Sequence, residues 1–195
     1  NSFLSFYPTA EVILNIEEDH LDFFKDLQDI RRSFRKFVGK LPDGGLLVMN
    51  SAIEAPQEII GGKACRVVTF GKSADSDFTA ENITFDEFAR PSYDLVIRGE
   101  QAGRIHLGVT GEHNVYNSLA ALAVVLELGM DLDSAKAGLK VFGGTDRRFE
   151  KKGEIGGVTI IDDYAHHPQE IRATLEAARH YPHRKLWCVF QPHTY

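Results

Sequence analysis

Four stretches of this chain hold side chains of the kinds that bind ligands or move protons. The first is Asn15-Ile16-Glu17-Glu18-Asp19-His20-Leu21-Asp22. Carboxylates and an imidazole this close can hold a divalent cation or its waters. Spacing alone favours the plainer reading, an acidic helix start that complements the dipole, with His20 a bystander. The second is Gly111-Glu112-His113-Asn114-Val115-Tyr116-Asn117. At a helix start, amide side chains can hold polar ligands and pair with an adenine edge; the plainer reading is capping by Asn114. The third, Gly143-Gly144-Thr145-Asp146-Arg147-Arg148-Phe149, sets adjacent arginines after a glycine turn. That suits a phosphate or carboxylate, or else a linker with solvated charges. The fourth is Ile161-Asp162-Asp163-Tyr164-Ala165-His166-His167-Pro168, with Gln191-Pro192-His193 further on. It is dense enough in carboxylate, phenol and imidazole to favour function over capping, and taken alone it fits a metal-dependent hydrolase using Asp162, Asp163, His166, His167 and His193.

The elements that position these groups read as α/β. Glu11 to Ile16 is a short apolar strand. A helix with its N-cap at Asp19 carries apolar residues at steps of three and four from Leu21 to Val38, ending near Gly39. Leu46 to Met49, a short helix over Pro56 to Ile60, and Arg66 to Phe70 complete a β-α-β-α-β order, which favours a parallel sheet. Residues 71–110 read as short strands and turns, forming a small antiparallel sheet beside the parallel one. Val115 to Leu128 and a segment capped by Asp133 read as helices. A domain boundary falls near residue 146. Beyond it, Val158 to Ile161, a helix over Pro168 to Arg179, and Lys185 to Phe190 read as the start of a second β-α-β unit. The first cluster would then lie at the carboxyl end of a strand, where open α/β sheets bind ligands.

Composition narrows the function classes. The 195 residues carry 22 Lys+Arg against 28 Asp+Glu, a net charge of −6, and no basic patch offsets it; that disfavours a nucleic-acid partner. No apolar run approaches the ~20 residues that span a bilayer, and no signal-peptide pattern opens the chain. Cys65 and Cys188 lie far apart and have no metal-type spacing, which fits a reducing, cytoplasmic setting. The chain opens with Asn1 rather than Met, and the second unit holds too few elements to stand alone. Both features read as part of something longer.

In order along the chain, NIEEDHLD, GEHNVYNSLAA, GGTDRRFE, IIDDYAHHP and FQPHTY resemble the Mur ligases of peptidoglycan synthesis. The similarity is greatest to the members that join L-alanine to UDP-N-acetylmuramate. The resemblance implies an ATP-dependent, Mg²⁺-requiring ligase that forms an amide through an acyl phosphate. It implies that residues 1–146 are the later part of the central ATPase domain, with a mostly parallel sheet. Residues 147–195 would begin a Rossmann-like C-terminal domain that receives the amino acid. The family's phosphate-binding glycine loop would lie upstream of Asn1.

Position by position, the resemblance implies that His20 ligates Mg²⁺ near the sugar carboxylate and that Asn15 touches substrate. It gives His113 and Asn114 to adenine, Arg148 to the nucleotide across the domain boundary, and Asp163 to ribose. Tyr164, His166 and His193 would face the incoming amino acid, His166 and His20 with catalytic roles. Thr194 stands where many relatives carry an arginine, which bears on amino-acid selectivity. The neighbouring alternatives are a murein tripeptide ligase of cell-wall recycling, and a nucleotide-binding module without catalysis. Closure of the two domains over the nucleotide, hinged at Gly143-Gly144, is expected of the ligase.

Overall fold

A computed structural model describes residues 2–18 and 23–192. One six-stranded sheet organises the first 146 residues. Its strands are β1 (Ala10–Ile13), β2 (Leu46–Asn50), β3 (Arg66–Phe70), β4 (Phe78–Phe85), β5 (Pro91–Ile97) and β6 (Glu100–His106), in that spatial order. β1, β2 and β3 pair in parallel, joined through α1 (Leu27–Val38) and α2 (Pro56–Ile60). β3 meets β4 in parallel at a single pair, Phe70 with Phe78. From β4 onward the pairing is antiparallel, so the expected antiparallel strands form, but as a continuation of the same sheet.

β2 shows why the sheet lies between two helical layers. Side chains along a strand alternate between faces, and Leu46, Leu47, Val48 and Met49 are all buried. Leu47 and Met49 join Ile13, Val38, Leu41 and Ile59 beneath α1 and α2. Leu46 and Val48 join Val68, Phe70, Tyr93 and Leu119 beneath α3 (His113–Glu127) and α4 (Leu132–Val141). A continuous apolar run is the signature of a parallel strand covered on both sides.

After residue 146 come β7 (Glu150–Ile155), β8 (Val158–Asp162) and α5 (Pro168–His180). β7 and β8 form an antiparallel hairpin closed by Gly156 and Gly157, both with positive φ. No such strand is expected over 150–155 from apolar alternation, since Lys151, Lys152 and Glu154 interrupt it.

Several boundaries differ from expectation. β1 ends at Ile13 rather than Ile16. α1 begins at Leu27, where Asp26 caps it by accepting the Asp29 amide at 2.8 Å; the expected cap, Asp19, lies outside the described residues. Asp131, not Asp133, caps α4, accepting from Ser134 N at 2.8 Å. Lys185 to Phe190 pairs with no strand among the described residues. Leu186, Trp187, Val189 and Phe190 are exposed there, because a strand needs a ladder partner as well as apolar residues.

One core position breaks the polarity rule. Glu11 in β1 is 2% exposed, and neither carboxyl oxygen has a hydrogen-bond partner among the described residues. It lies opposite Leu47 in the register. Burial pushes its pKa from 4.5 up to about 7. Between those values the folded chain keeps a proton that the unfolded chain has released. Stability therefore falls by roughly 1.4 kcal/mol per pH unit as pH rises through that window, then levels off. Glu11→Met is expected to flatten this slope and raise the urea midpoint at pH 8. An unchanged difference in midpoint between pH 5 and pH 8 would show that Glu11 is not its source.

Candidate functional site

The parallel strands deliver their carboxyl ends to one rim, and a cleft of about 1150 Å³ opens there. Asn15 follows β1, Asn50 ends β2, and Gly71 with Lys72 follows β3. The first turn of α3 brings His113, Asn114 and Asn117, and the far wall carries Arg148, Asp163 and Glu170 from beyond residue 146. Of the residues singled out from sequence, Asn15, His113, Asn114, Arg148 and Asp163 therefore line one cleft.

The α3 wall is a hydrogen-bonded relay. Asn114 Nδ2 donates to Thr110 O at 2.8 Å and contacts His113 Nε2 at 3.2 Å, while its Oδ1 accepts from Asn117 Nδ2 at 3.1 Å. Asn114 is thus no cap: Glu112 occupies that position and makes no side-chain cap bond. Desolvation in the cleft wall lowers the His113 pKa; Asp163 opposes the shift and Arg148 adds to it. His113 is therefore neutral at pH 7, and with Asn114 donating, Nε2 is an acceptor and Nδ1 carries the hydrogen. This wall offers amide and imidazole edges rather than charge, which suits a heterocyclic base.

Lys72 was not singled out from sequence. Its Nζ lies 3.1 Å from Glu112 Oε1 and 5.0 Å from the centre of the Tyr116 ring. The bond to Glu112 raises its pKa. Asn117 was likewise passed over as a site residue, although the i, i+3 spacing from Asn114 puts both amides on one helix face. Lys72 had only its place after an apolar strand to mark it.

The opposite wall is held by backbone strain and by two carboxylates. Arg147 (φ 59°) and Phe149 (φ 48°) are both left-handed, a conformation costing about 1–2 kcal/mol for an L-residue. Arg148 lies between them, with Nη1 3.4 Å from Glu170 Oε1. Asp163 accepts the Phe149 amide at 2.8 Å and the Ala165 amide at 2.7 Å, which locks the loop after β8 onto the loop before β7. Glu170, near the start of α5, accepts from the His166 and His167 amides at 3.2 and 3.4 Å. Burial raises the Glu170 pKa, but those amides and the charges of Arg148 and His166 outweigh it and leave the pKa lowered.

Tyr164 and His166 do not line the cleft. Their rings meet edge to face at 5.3 Å, and Arg147 lies 4.8 Å over the Tyr164 ring. His167 Nε2 reaches Glu18 O at 3.2 Å, tying the second unit to the loop after β1. His20, His193 and Thr194 lie outside the described residues. Among the described residues no three His, Cys, Asp or Glu side chains gather to hold a metal ion. Among the described residues the hydrolase reading of the fourth stretch finds no ligand set: Asp163 is engaged by backbone amides and His167 Nε2 meets Glu18 O, while His193 lies outside them.

Comparison with known proteins matches the same two segments. The family model for the Mur ligase middle domain matches residues 2–125, and that for the Mur ligase glutamate ligase domain matches residues 147–194. A UDP-N-acetylmuramate–L-alanine ligase of Lachnospira eligens is 57% identical over all of this chain, which covers 43% of that relative. The crystal structure of the UDP-N-acetylmuramate–alanine ligase of Thermotoga maritima superposes with a TM-score of 0.75 at 30% identity, over 91% of this chain and 39% of that one. A murein peptide ligase of Psychrobacter arcticus superposes with a TM-score of 0.66 at 27% identity, over 91% of this chain and 36% of that one. The chain thus spans less than half the length of these relatives.

At Gly111 the two walls approach closely. It has φ +98°, and an added Cβ would stand 2.7 Å from His113 Cε1 and 3.2 Å from Ala177 Cβ on α5. Gly111→Ala is expected to displace the His113 ring and destabilise the chain by about 1–3 kcal/mol. Thermal unfolding measures the loss, and the His113 ring resonances measure the displacement. An unchanged midpoint with unshifted resonances would refute this account of the wall.

Proposed function

This chain belongs to the Mur ligase family, and on that premise we propose that it forms part of an ATP-dependent ligase joining L-alanine to UDP-N-acetylmuramate. The observation that carries the reading is the meeting of His113 and Asn114 with Arg148 and Asp163 across one cleft, from opposite sides of residue 146. Residues 1–146 then act as the later part of the central domain, and 147–195 as the first part of the amino-acid-receiving domain. The reading places the enzyme in the cytoplasm; no helix of the described residues is long and apolar enough to cross a membrane.

The chemistry assigns each wall a task. The neutral, edge-presenting His113–Asn114–Asn117 relay holds adenine. Arg148 brings positive charge from the second unit to the polyphosphate, and Asp163 is placed to accept from a ribose hydroxyl with the lone pairs its two amide bonds leave. The acyl donor is a carboxylate, a poor electrophile until phosphorylated, so two anions must be held together in line. Asn15 and Glu17 offer oxygen ligands at the β1 end of the rim, as a hard cation prefers, and His20 belongs to the same stretch. Mg²⁺ held there supplies charge that offsets the repulsion between the two anions. Tyr164, His166 and His193 belong to the amino-acid side, with His166 positioned through Glu170. The alanine amine attacks the acyl phosphate and phosphate leaves.

Phosphate release is expected to require ATP, UDP-N-acetylmuramate and L-alanine together in the protein that contains this chain. Asn114→Ala and Arg148→Ala should each raise the KM for ATP at least tenfold. Release with a tripeptide but not with L-alanine would instead identify a murein peptide ligase, and no release with any acceptor would sink the ligase reading.

A further inference from the structure

A second cavity of about 410 Å³ adjoins the cleft and shares Asn15, Glu17 and Asn50 with it. Its inner wall carries Arg31, the first basic residue of α1, which is 8% exposed. Among the described residues Arg31 donates from Nη2, to Glu54 O at 2.8 Å, Ala55 O at 3.0 Å and Glu58 Oε2 at 3.1 Å. Neither the buried Nε nor Nη1 makes a hydrogen bond among the described residues. A buried guanidinium normally spends its fork on a carboxylate or phosphate. Here Nη2 alone is spent, on the loop after β2 and on the Glu58 carboxylate of α2, and Arg31 still lines the cavity.

The rest of the cavity says what kind of molecule would use it. Leu14, Leu27 and Ile53 give it apolar walls. Asn15 and Asn50 bring amides and Glu17 and Glu54 carboxylates; all accept from hydroxyls, and the carboxylates repel a small free anion. The fitting ligand is a hydroxylated carbon skeleton that carries one oxyanion to Arg31. We propose that Arg31 is the anchor of an acyl-substrate subsite, binding an oxyanion of the sugar nucleotide beside the nucleotide cleft. This rests on the ligase reading and adds to it a residue that sets affinity and orientation for the sugar nucleotide alone.

Steady-state kinetics on the full-length enzyme test it. Arg31→Gln is expected to raise the KM for UDP-N-acetylmuramate at least tenfold, with the KM for ATP within twofold. Because Arg31 also pins the loop after β2, Arg31→Gln can lose stability; Leu27→Trp fills the cavity from a half-buried position and leaves Arg31 in place. Leu27→Trp should reproduce the selective KM effect. A sugar-nucleotide KM within twofold of wild type in Leu27→Trp overturns the proposal.

Inhibition separates the two sources of oxyanion. If the carboxylate is bound, Arg31→Gln weakens inhibition by N-acetylmuramate; if the diphosphate is bound, it weakens inhibition by UDP. Unchanged inhibition by both, in a folded variant, also overturns the subsite. Wild-type enzyme without sugar-dependent turnover defeats the ligase reading. Calorimetric titration with N-acetylmuramate and UDP then decides the subsite: loss of heat in Leu27→Trp supports it, and equal binding or none in the wild type rejects it.

Discussion

Parallel pairing of β1, β2 and β3 is the constraint on which the rest depends. Parallel strands cannot be joined by tight turns, so each must return through a crossover, and every carboxyl end then faces the same rim. Asn15, Asn50 and Lys72 are far apart in the chain but line one cleft for that reason. The crossovers also bury both faces of β2, which makes it rigid enough to serve as a platform for ligand groups. Arg31 depends on the same geometry: α1 is a crossover helix, and its inner face overlooks the rim beside Asn50 and Glu54.

The second wall is built on another principle. Among the described residues no sheet continues across residue 146, and the loops around Arg148 are held by carboxylates gripping backbone amides. Asp163 joins the loop after β8 to Phe149, and Glu170 gathers the amides before α5 while its other oxygen meets Arg148. Such bonds fix a side chain through its neighbours with little buried apolar area. Aromatic contacts supplement them. Phe85 stacks on His180 with centroids 5.0 Å apart, and Phe88 and Phe149 both approach Tyr181. A wall made this way can separate from its partner without disturbing either core, as a cleft that must admit and release ligand requires.

Much of this was legible in the residues. The strands at Leu46 and Arg66 and the helices at Pro56 and Pro168 follow from apolar runs and proline at the first turn, which are local signals. The start of α1 was not, because Asp19 and Asp26 are equally good caps by type and tertiary placement decides between them. β7 was missed for its lysines, although the Gly156-Gly157 pair that turns the hairpin was visible. Lys185 to Phe190 has the composition of a strand, but composition does not provide a neighbour. In the site, His113, Asn114, Arg148 and Asp163 were found by residue type and order, whereas Lys72 and Arg31 matter through where the sheet carries them. Tyr164 and His166, expected on the rim that faces the amino acid, are not among the residues that line the cleft.

The single parallel pair between β3 and β4 has a consequence for assembly. β4, β5 and β6 follow one another closely and close short loops, while β1, β2 and β3 need crossovers through α1 and α2 before any contact repays the chain entropy. On loop-closure grounds the antiparallel half is expected to gain its order first, with Phe78 as the template on which Phe70 docks. On that route the ligand-bearing rim would be completed last, and a chain slowed at the seam would expose the edge of β3 while the antiparallel half is already ordered.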